Sequence, residues 1–381
     1  MKSVVVLGAT GSVGKQALEV LRGLGASFRV TGLAVKANTD LLLEQCREFR
    51  PTAVAITSEE QARRSAQELK RLGIGLATGD QALEKLIDDL RPDIVLQAVS
   101  GAAGLPASLA AVESGARLAC ANKESLVMAG HLILPLAEKR GVEIIPVDSE
   151  HSAIFQSLNG QHPRAARRIF LTASGGPFAD ATGDELERVT PEQALRHPTW
   201  KMGGKITIDS ATMMNKALEI IEARWLFDCH PDRIEVVVHR QSIVHSMVEF
   251  HDGSIIAQMG VPDMRVPIRY ALTYPERPPL ERDFFDFDRW KQLTFEPPDT
   301  QRFPAIDLGF RAAREGGVMG TVLNAANEEA VGLFLKGTIS FTDIASTVAR
   351  VLDRTEQNGS PTLDDIMDAD RWAREETLQC L

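Results

Sequence analysis

Cysteine is scarce in this chain. Its four residues, Cys46, Cys120, Cys229 and Cys380, lie far apart in 381 residues and form no CxxC pair. That spacing argues against a disulfide framework or a zinc knuckle, and a reducing compartment fits. An excess of basic charge is also missing: 42 Lys and Arg stand against 52 Asp and Glu, a net charge of −10. That balance argues against general binding to nucleic acid or to an anionic membrane. It leaves room for an anionic small molecule, because a local cationic pocket can sit in an acidic protein. No apolar run approaches the ~20 residues of a membrane span. The apolar stretch after Lys2 is only about five residues long before Gly8, shorter than the roughly 7–15 of a signal-peptide core. The expectation is a cytoplasmic protein without processing. Internal repeats and low-complexity tracts are absent too. What is present is the composition of a folded protein, 44% hydrophobic and 25% charged, over a length that asks for two or three domains.

Residues 1–147 alternate apolar β-type runs with amphipathic segments: SVVVLG, then KQALEVLRGL, RVTGLAV, LLLEQCREF, AVAIT, DIVLQAV, ARLACA and VEIIPV. This rhythm predicts an α/β fold with a parallel sheet wrapped by helices, and continuous apolar strands suit a sheet covered on both faces. From Asp148 the texture changes. EVVVHRQSIVHSMVEF (235–250) and the following DGSIIAQMG predict a hairpin turned at Asp252-Gly253, so 148–274 reads as α+β. Six prolines between Pro275 and Pro304 forbid regular structure and predict a linker over 275–304. Helical patterns fill 305–381, with capping-box variants at Ser340 and Thr362.

Gly8-Ala-Thr-Gly11-Ser-Val-Gly14 follows the first strand and opens the first helix. Glycines there permit a sharp turn and close approach to a pyrophosphate, which the helix N-terminus attracts. A tight βα turn without ligand is the plain alternative. The second strand ends on Lys36, Ala37 and Asn38 rather than on an acid that would bind a ribose 2′-hydroxyl. A cation and an amide suit a 2′-phosphate, which favours NADP(H) over NAD(H), although a lone lysine is equally at home on a solvated surface.

Asp148 and Glu150 sit at the end of the strand VEIIPV. In an extended chain, residues two apart share a side, so both carboxylates are expected to face one point. Asn215 and Glu219 lie four apart on a predicted helix, hence on one face, beside Lys216. Oxygen ligands without cysteine favour a hard ion, Mg2+ or Mn2+. Taken singly, each acid is better read as a cap or an ion-pair partner. Ser174-Gly175-Gly176 forms a small-residue turn suited to a phosphate. Ser210, just before a helix predicted over 211–226, adds a hydroxyl, or else merely caps that helix. His197, Trp200, Met202 and Gly203 belong to a stretch that reads as a lid, with simple packing of Trp200 as the equal alternative.

The blocks GATGSVG (8–14), ANKESLV (121–127), PVDSEHSAIFQSL (146–158), LTASGGPF (171–178), HPTWKMGGKITIDSATMMNKALEIIEARWLF (197–227), QSIVHSMV (241–248) and LNAANEEAV (323–331) run in order through nearly the whole chain. Together they resemble the 1-deoxy-D-xylulose 5-phosphate reductoisomerase family. The resemblance implies a homodimer whose subunit has an N-terminal Rossmann-type NADPH domain, a central α+β catalytic domain with a flap, a linker and a C-terminal helical bundle. It implies Asp148, Glu150 and Glu219 as metal ligands, with Lys123 also catalytic. Ser149, Ser174, His197, Ser210, Asn215, Lys216 and Lys123 would hold the sugar phosphate, and Trp200 and Met202 would form the flap. Thr10, Gly11, Ser12, Val13, Asn122, Glu124 and Gly203 would contact NADPH. The implied reaction converts 1-deoxy-D-xylulose 5-phosphate to 2-C-methyl-D-erythritol 4-phosphate. Thr199, Arg240, Ala173 and the Lys36-Ala37-Asn38 turn depart from the family's usual residues; none is a proposed metal ligand. Two alternatives remain open at this point: a plain NADP-dependent dehydrogenase, which needs a catalytic cysteine (Cys120 beside Asn122 comes nearest), and an NADPH-binding sensor without activity, which would lack a metal ligand.

Overall fold

The structure, a computed structural model, describes residues 1–196, 203–279, 284–356 and 359–380. The expected residues His197, Trp200 and Met202 lie outside that set. The chain divides into two compact units, one of residues 1–125, 133–152 and 263–280, the other of 126–132, 153–262 and 281–381.

The first unit is built on seven parallel strands: β1 (Lys2–Leu7), β2 (Phe28–Val35), β3 (Ala53–Ile56), β4 (Gly75–Thr78), β5 (Ile94–Gln97), β6 (Arg117–Cys120) and β7 (Ile144–Pro146). Their spatial order is β4-β3-β2-β1-β5-β6-β7. Helices α1 (Ser12–Leu24), α2 (Thr39–Phe49), α3 (Glu59–Arg71), α4 (Ala82–Leu90), α5 (Leu105–Glu113) and α6 (Lys123–Arg140) follow β1 to β6 in turn. Val4, Val5, Val6 and Leu7 are all fully buried. That is the cost-free choice for a central strand with helices on both faces, where every side chain meets apolar neighbours. The order reverses at β1, whose neighbours are β2 and β5. Open sheets of this kind bind ligands at the carboxyl ends of the strands beside such a reversal.

The helix α7 (Ser149–Leu158) leads into the second unit, whose four-stranded sheet has the order β11-β10-β8-β9. Here β8 (Ala166–Ala173) and β9 (Ile234–Val238) are parallel, while β10 (Val244–Phe250) runs antiparallel to β8 and to β11 (Ile255–Met259). The predicted hairpin is present: Gly253 takes a positive φ of 84°, and Asp252 Oδ1 accepts the Ser254 amide at 2.9 Å. Two short helices, α8 (Gly183–Leu186) and α9 (Pro191–Ala194), precede α10 (Gly204–Ala211) and α11 (Met214–Leu226); α12 (Arg265–Thr273) belongs to the first unit and packs on α1. After a stretch with no helix among its described residues, tied to β9 by the Val238–Glu296 bridge and to the following His239 by the stacked Phe295, come α13 (Ala305–Glu315), α14 (Met319–Leu335), α15 (Phe341–Asp353) and α16 (Leu363–Gln379). Ser340 and Thr362 close full capping boxes with Asp343 and Asp365, each cap worth about 1 kcal/mol. The core of this unit joins α11, α13 and α14 through Ala217, Ile220, Ile306, Val322 and Ala326.

Candidate active site

The glycine turn is as tight as the sequence asks. Gly8 has φ +78°, and a Cβ there would stand 2.4 Å from the Ala98 carbonyl oxygen; a Cβ on Gly14 would stand 2.2 Å from the oxygen of Gly8. Neither position tolerates a side chain, so the βα turn and α1 can press against the strand ends. Gly11 is the N-cap of α1 and no acid lies in its first turn, which leaves the positive end of a 13-residue helix available to an anion. Thr10, Ser12 and Val13 line the same turn, partly exposed. A brace that the sequence did not announce comes from α2: Gln45, 6% exposed, donates from Nε2 to the Ala9 carbonyl at 2.9 Å. Lys36, Ala37 and Asn38 are exposed at the end of β2, and Asn38 caps α2 by accepting from the Leu41 amide.

Two strands along, the ANKE segment shapes the neighbouring loop. Asn122 caps α6 and donates from Nδ2 to the carbonyls of Val99 (2.7 Å) and Gly101 (3.0 Å). Glu124 accepts the Gly101 amide at 3.1 Å. Both side chains are buried, so what they present at the carboxyl edge is a fixed loop.

At the end of β7 the chain behaves differently from the expectation. Strand pairing stops at Pro146 and helix α7 begins at Ser149, so Asp148 and Glu150 do not share a side by strand alternation. The correction has a local cause: Asp148 is itself the cap that starts the helix. Its carbonyl accepts the Ser152 amide at 2.8 Å and its Oδ1 accepts the Glu150 amide at 3.2 Å, the usual way a capping acid satisfies a first-turn donor. Glu150 then sits in the first turn, where Ser149 Oγ donates to its Oε2 at 2.5 Å.

Asp148 is the centre of a small buried cluster. Lys123 Nζ, from the start of α6, lies 2.5 Å from Oδ2, and His151 Nδ1 lies 3.1 Å from Oδ1. Lys123 is 6% exposed and His151 fully buried. Burial is the largest single influence on the Asp148 carboxyl and pushes it upward. The charges of Lys123 and His151 and the hydrogen bonds from both outweigh it and hold the group well below the usual carboxylate range. Asp148 is therefore a ready anion at neutral pH. His151 was not singled out from sequence; the available signal was its place three residues into a helix capped by Asp148, a spacing that brings the two side chains together.

In the second unit the acid Glu219 is completely buried on α11. Asn215 Nδ2 donates to its Oε1 at 2.5 Å, and Lys216 Nζ pairs with its other oxygen while donating to the Thr172 carbonyl at 2.5 Å. The spacing argument for Asn215 and Glu219 holds. Glu222, 1% exposed, is a further buried acid three residues on; the i, i+3 repeat in EIIE was its overlooked signal. The turn after β8 brings Ser174 Oγ to the Gly176 amide at 3.3 Å. Gly176 has φ +69°, and a Cβ there would lie 2.7 Å from the Ser210 carbonyl oxygen. Ser210 itself is not the residue before a helix at 211–226. It lies in the last turn of α10, and α11 starts after Met213, which takes the left-handed conformation (φ 61°). A non-glycine residue in that region costs of order 1 kcal/mol or more, and here it makes the break between the two helices. Gly203 is the N-cap of α10.

Family models cover the chain in three blocks: residues 4–130 match that of 1-deoxy-D-xylulose 5-phosphate reductoisomerase, 144–227 that of its C-terminal domain, and 259–376 that of the DXP reductoisomerase C-terminal domain. The 1-deoxy-D-xylulose 5-phosphate reductoisomerase of Pelotomaculum thermopropionicum is 51% identical over 98% of this chain and 97% of its own. That of Heliobacterium modesticaldum is 51% identical over 98% and 96%. Among solved structures, the Zymomonas mobilis enzyme in complex with NADPH superposes with a TM-score of 0.93 at 40% identity, covering 99% of this chain and 98% of that one. A DOX-P reductoisomerase in complex with NADPH, fosmidomycin and magnesium gives 0.96 at 38%, covering 100% and 98%. With the glycine turn, the Asp148 cluster and the Glu219 cluster all lying in matched blocks, the chain belongs to the 1-deoxy-D-xylulose 5-phosphate reductoisomerase family.

Proposed function

We propose that Asp148, Glu150 and Glu219 hold one divalent cation, Mg2+ or Mn2+, and that the turn Gly8–Gly14 holds the pyrophosphate of NADPH. The reaction is the family's: NADPH-dependent rearrangement and reduction of 1-deoxy-D-xylulose 5-phosphate to 2-C-methyl-D-erythritol 4-phosphate, in mevalonate-independent isoprenoid biosynthesis. The donor set suits the ion, because all three ligands are carboxylate oxygens and no thiolate is among them. The glycine turn suits the coenzyme, because its backbone is bare where a pyrophosphate must approach. When bound, the cation supplies positive charge beside the substrate oxygens, and NADPH supplies the hydride.

The chain's own residues do the rest. Lys123 and His151 fix Asp148 as an oriented anion before any ligand arrives. On this reading Lys123, held against Asp148, or a metal-bound water carries a proton at the reacting oxygens. Ser149 orients Glu150. Ser174, His197, Ser210, Asn215 and Lys216 grip the phosphate, whose binding energy positions the reacting carbons, and Trp200 and Met202 cover them. Thr10 to Val13, Asn122, Glu124 and Gly203 frame the coenzyme, with Lys36, Ala37 and Asn38 at its 2′-phosphate. Residues 1–147 are on this reading the coenzyme domain, 148–274 the catalytic one, 275–304 a linker and 305–381 a helical support. The working form is a cytoplasmic homodimer, for which the exposed Ile255, Ile256 and Met259 on edge strand β11 offer an apolar seam. Light scattering on the purified chain reads that state directly, and a monomer at micromolar concentration would refute it.

The observation that carries the function is the buried Lys123–Asp148–His151 cluster at the carboxyl edge of the same sheet that bears the glycine turn. The test is NADPH oxidation with 1-deoxy-D-xylulose 5-phosphate, with and without Mg2+ or Mn2+. Turnover is expected only with both substrate and metal. Oxidation unaffected by a chelator, or none at all with everything present, would sink the proposal.

A further inference from the structure

The LNAANEEAV segment contributes no group to the site just described, yet its two asparagines are among the most buried polar residues of the chain. Asn324 and Asn327 are both fully buried on α14, three residues apart and hence on one face. A buried amide costs stability unless it is hydrogen-bonded, so its partner matters. Asn327 Nδ2 donates to Asp209 Oδ1 at 2.7 Å. Asp209, 1% exposed, is the residue before Ser210 on α10. Its other oxygen pairs with Lys205 Nζ, one turn earlier, at 2.8 Å. The last turn of α10 is thus held from two directions. Asp209 is tied to α14, and the Ser210 carbonyl meets Gly176 of the turn after β8 at a distance that admits no side chain.

We infer that Asn327 is a positioning residue: acting through Asp209, it sets the rotation of α10 and thereby aims the Ser210 hydroxyl at the substrate phosphate. The inference rests on the reading of Ser210 as a phosphate ligand. Charge gives a second reason for the contact. A buried carboxylate next to a phosphate-binding hydroxyl repels a dianion at short range in a low dielectric. Hydrogen bonding to Asn327 and pairing with Lys205 direct the charge of Asp209 away from the ligand and into the protein. An apolar residue at 327 would pack, but it would remove the tie between Asp209 and α14.

The experiment compares Ser210→Ala, Asn327→Leu, Asp209→Asn and the exchange variant Asp209→Asn/Asn327→Asp in the full-length enzyme with Mg2+ and NADPH. Asn327→Leu is expected to raise KM for 1-deoxy-D-xylulose 5-phosphate about tenfold, the effect of one lost charge-assisted hydrogen bond. KM for NADPH should stay unchanged and kcat should change far less. The exchange variant, which restores an amide–carboxylate pair with donor and acceptor swapped, should recover most of the substrate KM. If Asn327→Leu lowers the melting temperature but leaves the substrate KM alone while Ser210→Ala raises it, Asn327 is structural only and the inference is wrong. If Asn327→Leu does not fold, Asp209→Asn decides: an unaltered substrate KM there overturns the inference, and a rise reversed in the exchange variant sustains it. A Ser210→Ala variant with unchanged KM would remove the phosphate reading, and this inference with it.

Discussion

Each unit contains a largely buried lysine–carboxylate pair, and the two are built in different ways. In the first unit Lys123 and Asp148 come from the ends of neighbouring strands, with side chains 7% and 12% exposed. In the second, Lys216 and Glu219 are three apart on one helix, 4% and 0% exposed. Topology assembles the first pair and helical periodicity the second. Neither is explained by stability, since a buried ion pair is often no better than a well-packed apolar pair of the same volume. A ready, oriented carboxylate is what both of these unlike constructions deliver.

The comparison breaks most visibly if the acids are neutralised. Asp148→Asn and Glu219→Gln are each expected to lower kcat/KM about a thousandfold, the scale of losing a metal's charge at the reacting oxygens. NADPH binding, followed by fluorescence, should be kept. If one variant stayed within threefold of the parent, that unit's carboxylate would be no ligand.

Removing the lysines tests the pairs from the other side. Lys123→Met strands a buried carboxylate and is expected to destabilise the first unit by about 3–5 kcal/mol in urea unfolding. Lys216→Met also leaves the Thr172 carbonyl without its charged donor, so its loss should be the larger. Equal losses would mean that this extra hydrogen bond contributes nothing.

How much of this was open to reading from sequence follows the same division. Glu219, Asn215 and Lys216 could be grouped because helical spacing is local. The parallel sheet and the glycine turn were equally plain, since strand periodicity and the βα turn are written in short windows. The Lys123–Asp148 contact was not derivable from spacing, because 25 residues and a β-strand order intervene. Strand alternation also failed at Asp148 and Glu150, where a capping acid began a helix sooner than the apolar run suggested. Ser210 was misplaced for a similar reason: the helix predicted over 211–226 starts only after the left-handed Met213, Ser210 lies in the separate helix α10, and no sequence rule marks a methionine for that conformation. The Asn327–Asp209 contact joins segments 118 residues apart and needed the fold.

Not every buried titratable group in the second unit is paired, and His245 marks the contrast. Burial, the largest influence, pushes its ring down to about 4, against the hydrogen bonds to the Gly260 and Val261 backbone, and nearby His239 adds to the depression. The unfolded chain takes up a proton near the ordinary histidine value of about 6.5, and the folded chain only near 4. Between those values the unfolded state binds more protons, so stability is full above the upper value and falls as pH drops through the window, by about 3 kcal/mol. His245→Gln should flatten the urea-unfolding profile between those pH values. An unchanged slope would assign the acid sensitivity elsewhere.

The smallest expected effect concerns the first unit's exposed edge, at Lys36. Lys36 stands exposed at the end of β2, next to the strand that carries the glycine turn, and no ion pair to it is present among the described residues. A surface lysine without a partner adds little to stability, so Lys36→Met should leave unfolding unchanged. If the ammonium meets the 2′-phosphate, KM for NADPH should rise about tenfold, the effect of one charge-assisted hydrogen bond, while KM for NADH stays as it was. A proportional change for both coenzymes would show that Lys36 serves only the shared pyrophosphate. The preference for NADPH would then lie with the Asn38 amide or the backbone of that turn rather than with a solvated charge.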